Sequence, residues 1–247
     1  MASENPLIEL QTADVVSSHT GAVVLEHVDW RINAGEFWIV GGAYGSGKTD
    51  LLSTVAGLQR PGDGSVLLFG SDISDVHESE LVRLRQRVGL VFKHGGRMFA
   101  NFTVLENVEL GVRYQENLGP VEAAEKVERV LEETALTQYA TRIASSLGPN
   151  FRHRVGLARA LALEPEVLLL DEPLVGLDVQ AQRWMIEFLK TNLQKSSVKA
   201  VVVGTNHFEP WLQIGRHFAV LRNKRWLAFG DRAELKDAML ETSAPEV

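Results

Sequence analysis

Apolar residues are spaced along the chain in patterns that name most of its elements. Over the first 35 residues they fall in short clusters: Leu7, Ile8, Leu10, Val15 and Val16, then residues 22–32, bounded by Gly21 and by Asn33-Ala34-Gly35. Strands joined by turns read this way. Phe37-Trp38-Ile39-Val40 is apolar without interruption and ends in a glycine-rich turn, as a strand buried on both faces would. A helix is expected from Gly47 to about Ala56, stopped by Gly57, and strands at 66–69 and 88–92 with a polar-faced helix over 78–87 between them. From about Asn101 to Leu163 the period becomes helical, as at Val121, Ala124, Val127 and Leu131. Pro149 is expected to interrupt any helix there, and a new amphipathic one to run from near Phe151 to about Leu163. Strand-like runs return at 167–170, 199–204 and 218–221, with a helix from Ala181 to about Leu193 between the first two and a frayed tail at 241–247. Strands alternating with helices imply an α/β fold with a mostly parallel sheet covered on both faces, and a helical insertion in the middle.

Composition narrows the function classes. The 247 residues are ample for a buried core, and 45% hydrophobic against 23% charged residues is ordinary for a globular protein. With 25 Lys+Arg against 32 Asp+Glu the formal net charge is −7, which argues against broad adhesion to nucleic acid or anionic lipid. The absence of cysteine excludes disulfides and thiol catalysis. The longest apolar runs, 167–170 and 200–203, fall far short of the roughly 20 residues that span a bilayer. The opening Met1-Ala2-Ser3-Glu4-Asn5-Pro6 lacks the basic and apolar stretches of a signal peptide. A soluble, intracellular chain is expected, with any membrane role supplied by a partner.

Candidate chemistry begins at Gly42-Ala43-Tyr44-Gly45-Ser46-Gly47-Lys48-Thr49, which fits G-x-x-x-x-G-K-[ST] between an expected strand and an expected helix. Glycines let the backbone curl so that successive N–H groups point at phosphate oxygens, and the helix N-terminus aims partial positive charge at the same place. Lys48 would serve the β- and γ-phosphates, and the Thr49 hydroxyl would ligate Mg²⁺. The second half is Val167-Leu168-Leu169-Leu170-Asp171-Glu172, an apolar strand ending in two acids at the edge where α/β sheets bind ligands. Asp171 would hold Mg²⁺, directly or through water, and Glu172 would polarise the attacking water. Together they describe a nucleoside-triphosphate site.

With these motifs on the page, the sequence resembles the ATP-binding subunits of ABC transporters over about residues 7–235. Gly42–Thr49 resembles the Walker A loop and Leu168–Glu172 Walker B. Val175-Gly176-Leu177-Asp178 resembles the D-loop, His207 in Thr205-Asn206-His207 is placed like the switch histidine, and residues 154–161 resemble the helix after the family signature. The resemblance implies an ABC-type P-loop NTPase with an N-terminal antiparallel β-subdomain and an inserted helical subdomain. Its core would be residues 1–93 and 164–232, its Q-loop and helical part 94–163, and its C-terminal end 233–247. It further implies Mg²⁺-ATP as ligand, Asp178 near the nucleotide, His207 at the γ-phosphate, and a head-to-tail dimer whose two sites each take the signature loop from the other subunit. ATP closure and hydrolysis would then drive a separate membrane permease. The subunit would sit in the cytoplasm at the inner face of the cell membrane, without inserting into it and without nucleic acid. Within the family, Val91-Phe92, Met98-Phe99, residues 103–108 and residues 171–176 look most like the Mce/Mla-type lipid-transport ATPases, which implies lipid or other hydrophobic cargo.

Three departures from the family pattern shape the expected activity. Lys93 stands where the Q-loop carries glutamine; lysine has donors and a charge but no lone pair for a metal, so it either pairs with phosphate oxygen or points to solvent. The signature position holds Leu147-Gly148-Pro149-Asn150-Phe151, which lacks the serine hydroxyl and one backbone N–H. Asn150 tolerates a left-handed conformation less freely than glycine. His19 is the nearest candidate for the adenine-stacking aromatic, and it stacks less extensively than tyrosine. ATP is therefore expected to bind well and to turn over slowly or with a partner's help, in a homodimer or beside a better-preserved ABC subunit. The alternative is a catalytically silent, nucleotide-gated regulatory subunit. A soluble relative acting in DNA repair or translation would carry long coiled-coil arms or tandem motif sets, and this chain has neither.

Other signals add less. Arg83, Arg85, Arg87, Lys93, His94 and Arg97 make a basic stretch that faces a permease loop, lipid headgroups or simply water. Phe99, Phe102, Val104 and Leu105 lie where the family's permease docks, or pack the helical part. The seven histidines show no metal-ligand spacing, and Trp184 and Trp211 are expected in the core.

Overall fold

A computed structural model of the chain describes residues 5–114, 118–191, 197–230 and 232–235. The end of the helix expected at Leu193 and the tail expected over 241–247 lie outside the described residues. In chain order the first elements are β1 (Ile8–Val16), β2 (Val23–Ile32), β3 (Phe37–Gly42), α1 (Lys48–Val55), β4 (Ser65–Leu68), β5 (Ser71–Asp72), α2 (Glu78–Gln86) and β6 (Val88–Val91). They are followed by α3 (Val104–Arg113), α4 (Pro120–Glu133), α5 (Pro149–Leu161), β7 (Val167–Asp171), α6 (Val179–Thr191), β8 (Ala200–Thr205), β9 (His217–Arg222) and β10 (Arg225–Phe229). The chain divides into two compact units, Met1–Arg85 with Lys199–Val247, and Gln86–Val198.

In the first unit, polar and apolar residues alternate on β1 and β2, and the strands obey that alternation. Ile8, Leu10, Ala13 and Val15 are buried from β1, and Leu25, Val28, Trp30 and Ile32 from β2. The two pair antiparallel with Ile8 opposite Ile32, and β4 and β5 extend the same antiparallel sheet. β3 and β8 instead carry continuous apolar runs, and every residue of β8 is buried. Strands of that kind suit a parallel sheet covered on both faces, and β3 lies between β8 and β9, parallel to both. Helix α1 touches β1 of the one sheet and β3 and β8 of the other. Trp30, Trp38 and Trp226 meet with ring centroids 4.5 to 6.1 Å apart, so β2, β3 and β10 share one aromatic core. Trp211 is buried as expected, and β10 is an element the spacing did not announce. It returns antiparallel to β9 through Asn223 and Lys224, which both adopt left-handed backbone (φ 50° and 60°), the two-residue hairpin turn without its usual glycine.

In the second unit β6 and β7 pair in parallel, Val88 opposite Val167, and α5 packs on β6, α3 and α4. Thr103 caps α3: its hydroxyl accepts from Glu106 N, and the Glu106 carboxylate accepts from Thr103 N. Buried Asn107 then staples the preceding loop, accepting from Phe99 N and donating to the carbonyls of Phe99, Phe102 and Thr103. One expectation is corrected. Pro149 does not interrupt a helix; it opens α5 as the first helical residue, where a missing N–H and a fixed φ cost nothing. Trp184 is half-buried on α6, stacked on Phe188 at 5.1 Å.

Candidate functional site

The phosphate loop is built by the end of β3 and the start of α1. Gly45 (φ 82°) and Gly47 (φ 92°) hold left-handed backbone that a side chain would strain, and Gly47 flanks α1 with no side-chain cap. The first-turn N–H groups of α1 are thus left for a ligand rather than for a capping side chain. Lys48 is 6% exposed, and its ammonium donates to Gly42 O (2.8 Å), Ala43 O (3.0 Å) and Asn206 Oδ1 (2.6 Å). Ser46 Oγ is buried in the loop without a hydrogen-bond partner, which marks a polar atom placed for something other than the fold. Tyr44 is 87% exposed, and Thr49 and Ala43 lie at the surface. His19, also exposed, is carried by a loop tied to α1, because Ser18 N donates to the first-turn carboxylate of Asp50 at 2.9 Å. That tie holds the loop that carries His19 against the first turn of α1.

The acids sit as the strand pattern predicted. All of β7 is buried, and Asp171 and Glu172 close it at 3% and 5% exposure. Glu172 holds left-handed backbone (φ 47°), which costs free energy in a residue with a side chain and clusters at functional positions. Asp178 begins α6: its Oδ1 accepts from Ala181 N at 2.8 Å, and its second oxygen accepts from Asn150 Nδ2. The Ala181 amide first, then the Asn150 side chain, hold its carboxyl below the usual aspartate value. The signature residue Asn150 and the D-loop residue Asp178 are therefore engaged with one another within this chain. Phe151 lies on Tyr139 at 4.4 Å, and Arg154 packs 4.0 Å from the Trp184 ring centroid. Burial lowers the Arg154 pKa.

Lys93 follows β6 in a loop where His94, Gly95 and Gly96 all have positive φ. The loop lies hard against α5, since a Cβ on Gly156 would fall 2.4 Å from Gly95 O. Buried His153 lies beside it, ring to ring with His94 at 5.9 Å. Burial, with a smaller push from His94, lowers its pKa to about 4, so the ring is neutral near pH 7. Sequence reasoning missed this residue because the His94 loop it packs against is far from it along the chain.

The end of β8 departs from the sequence reading. His207 points to solvent, and its N and O are both held by the Thr205 hydroxyl, at 3.0 and 3.1 Å. Asn206, one residue earlier, is the side chain that reaches Lys48. Phe208 turns back into the core, its ring so close to Gly41 that a Cβ there would clash at 1.9 Å. The Thr49 hydroxyl in the first unit and the Asp171 carboxylate in the second are each a hard oxygen donor of the kind Mg²⁺ takes. Among the described residues no three His, Cys, Asp or Glu stand together as a metal cluster.

Comparison with known proteins fits this geometry. The family model described as ABC transporter matches residues 25–175. The chain belongs to the ABC transporter family. It is 33% identical over 231 residues to the sulfate/thiosulfate import ATP-binding protein CysA of Mycolicibacterium paratuberculosis, covering 94% of this chain and 62% of that protein. It is 35% identical to the energy-coupling factor transporter ATP-binding protein EcfA2 of Symbiobacterium thermophilum, covering 86% of this chain and 75% of the relative. The chain thus spans about 62% of the length of the first curated relatives it matches. Among solved structures, the dimeric ATP-binding cassette MJ0796 in a post-hydrolysis state with ADP and Pi superposes with a TM-score of 0.78 at 26% identity, over 88% of this chain and 95% of that one. The fold class expected from the sequence, an ABC-type P-loop NTPase, is thereby shown. Among the described residues no helix is long and apolar enough to cross a membrane.

Proposed function

We propose that the chain is the ATP-binding subunit of a transporter, coupling Mg²⁺-ATP binding to a separate membrane permease as a homodimer or beside a second ABC subunit. The observation that carries this reading is the phosphate loop, with uncapped α1 at its mouth and Lys48 folded inside it. Gly42–Gly47 and Lys48 receive the phosphates, Thr49 and Asp171 hold the metal, Glu172 activates water, and His19 and Asp178 border the nucleotide. His207 was expected at the γ-phosphate; its exposed side chain leaves that role to be tested against Asn206. A groove of about 540 Å³ in the second unit, lined by Phe92, Phe99, Leu110, Tyr114 and Arg159, suits a docking segment of the permease. The CysA relative's name favours import, and neither of the two relatives named above carries a lipid in its name. The lipid reading rests on the resemblance of residues 91–92, 98–99, 103–108 and 171–176 alone.

The altered signature favours slow or partner-dependent turnover, with the silent regulatory subunit as its limiting case. Pro149 supplies no N–H, and Asn150 is spent on Asp178. Titration with Mg²⁺-ATP tests binding, and steady-state turnover with and without the co-expressed permease tests coupling. Turnover by the chain alone at about 1 s⁻¹ or faster overturns the slow-hydrolysis reading. Glu172→Gln is expected to abolish what turnover there is; unchanged transport by the assembled complex would instead assign the silent role.

A further inference from the structure

The hairpin of β9 and β10 turns beside the phosphate loop. Leu221 of β9 lies opposite Gly42, the first residue of the loop, so close that a Cβ on Gly42 would fall 3.0 Å from Leu221 O. On its other side the hairpin is tied to β2, where Glu26 N donates to Lys224 O at 2.8 Å. The same strand reaches the loop, since a Cβ on Gly47 would fall 3.0 Å from the Val24 side chain. The tip Arg222-Asn223-Lys224-Arg225 is thus held at the strand ends from which the loop springs. Arg222 and Arg225 stand directly opposite one another across the hairpin, and both are exposed. Such a pair projects from one face, where like charges repel. Among the described residues neither arginine has an ion pair, while Lys224 is paired with Glu26 at 3.4 Å. Asp50, the carboxylate in the first turn of α1, is engaged by Ser18 N. Two positive charges without an acidic partner therefore stand beside the phosphate loop of a chain whose net charge is −7.

We propose that Arg222 and Arg225 steer the polyphosphate of the nucleotide into the loop: they draw the anion toward the strand ends before contact forms, and do not hold it once bound. This rests on the reading of the loop as an ATP site and adds to it a determinant of the association rate. Mg²⁺-ATP keeps a net negative charge, so an acidic chain repels it on average. A local field of opposite sign beside the site corrects that approach. Lys48 is only 6% exposed within the loop, so the charges that meet an incoming anion first are those of the tip. Exposed charges act over about one Debye length, about 10 Å at 0.1 M salt, and their reach shrinks as salt rises. The expected signature is an association rate that depends on the tip and on salt, with a dissociation rate set by the loop.

The test is stopped-flow mixing of the full chain with Mg²⁺ and a fluorescent N-methylanthraniloyl ATP. At about 0.1 M salt, Arg222→Gln with Arg225→Gln is expected to slow association about threefold, and Arg222→Glu with Arg225→Glu about tenfold. Dissociation should stay within about twofold in both, as for other charges at the rim of a site. At about 1 M salt, where the Debye length is about 3 Å, the variants and the wild type should converge. Arg216→Glu changes the net charge as much as the double glutamine variant does, but at the far end of β9, about 20 Å away. It should leave association unchanged. Should the glutamate variant fail to fold, the glutamine variant reads the same rate. Association unchanged in the tip variants, or slowed equally by Arg216→Glu, overturns the proposal. So does a loss of affinity confined to dissociation, or a slowing that persists undiminished at about 1 M salt. If the wild type binds no nucleotide, the reading of the loop as an ATP site fails; binding with an association rate independent of the tip defeats the steering alone.

Discussion

On the function proposed above, helices α1 and α5 would both begin at phosphate, and they begin differently. Gly47 flanks α1 in left-handed backbone with no side-chain cap, so the first-turn amides face the loop that Lys48 lines. Gly148 flanks α5 in extended backbone (φ −65°, ψ 168°), the next residue is a proline without an N–H, and the one after has its side chain on Asp178. A helix N-terminus attracts anions through unpaired amides and their summed dipole. The first helix keeps both parts of that device, while the second keeps the dipole and loses donors. On that proposed function, one chain would retain the face that takes its own nucleotide while altering the face it lends to a neighbour. Binding and turnover should therefore respond to different sets of mutations.

The largest expected effect is on the retained face. Lys48→Ala removes the buried ammonium and strands two loop carbonyls that it satisfies. Loss of a charge-assisted contact to phosphate should weaken Mg²⁺-ATP binding by about 100-fold or more in calorimetric titration. Affinity unchanged within a factor of about three would break the comparison at its stronger end.

The two faces were not equally readable from sequence. The phosphate loop and the acidic strand end were legible because glycine spacing and an uninterrupted apolar strand are local signals, and the structure keeps both. Pro149 was misread because a proline both breaks helices and opens them, and which it does depends on whether residues before it were helical. The place of Asn206 was not legible, since one residue of difference in where β8 releases the chain decides whether Asn206 or His207 meets Lys48. β10 escaped because Asn223 and Lys224 make a left-handed turn without glycine, and its five residues are mostly exposed. Trp30, Trp38 and Trp226 formed no local pattern, being brought together from three strands.

A smaller effect tests how firmly α5 is held. His153 is buried on α5 beside His94, and burial, then His94, lowers its pKa to about 4. In the unfolded chain a histidine titrates near 6.5. Below that value the unfolded state takes up the proton and the folded state does not, so stability is lost as pH falls from about 6.5 toward 4. At pH 5 the difference is about 1.5 decades in the unfolding constant, on the order of 2 kcal/mol. His153→Gln, which keeps a donor and cannot titrate there, should flatten that part of the wild-type denaturation profile between pH 7 and 5. Parallel profiles for the two proteins would show that the ring is not buried in neutral form.

The smallest expected effect is a gain, on the altered face. Replacing Gly148 by Ser and Pro149 by Gly returns a hydroxyl and a backbone N–H to the start of α5 while leaving Lys48, Asp171 and Glu172 untouched. Donors placed where charge develops act on turnover more than on ground-state binding. Steady-state turnover should therefore rise about tenfold, and ATP affinity measured on the isolated chain should stay within about twofold. Serine in place of Gly148 also adds a helix-capping oxygen, which offsets part of the cost of putting glycine at the first helical position. The gain is bounded by Asn150, whose side chain remains on Asp178 and withholds a donor even when its neighbours are restored. Adding Asn150→Gly releases Asp178, and a further rise in turnover would show that the pair, and not proline alone, holds the neighbour's site at a low rate. No rise in either variant would place the limit on the other side of the comparison, at Lys93 or at the start of α1.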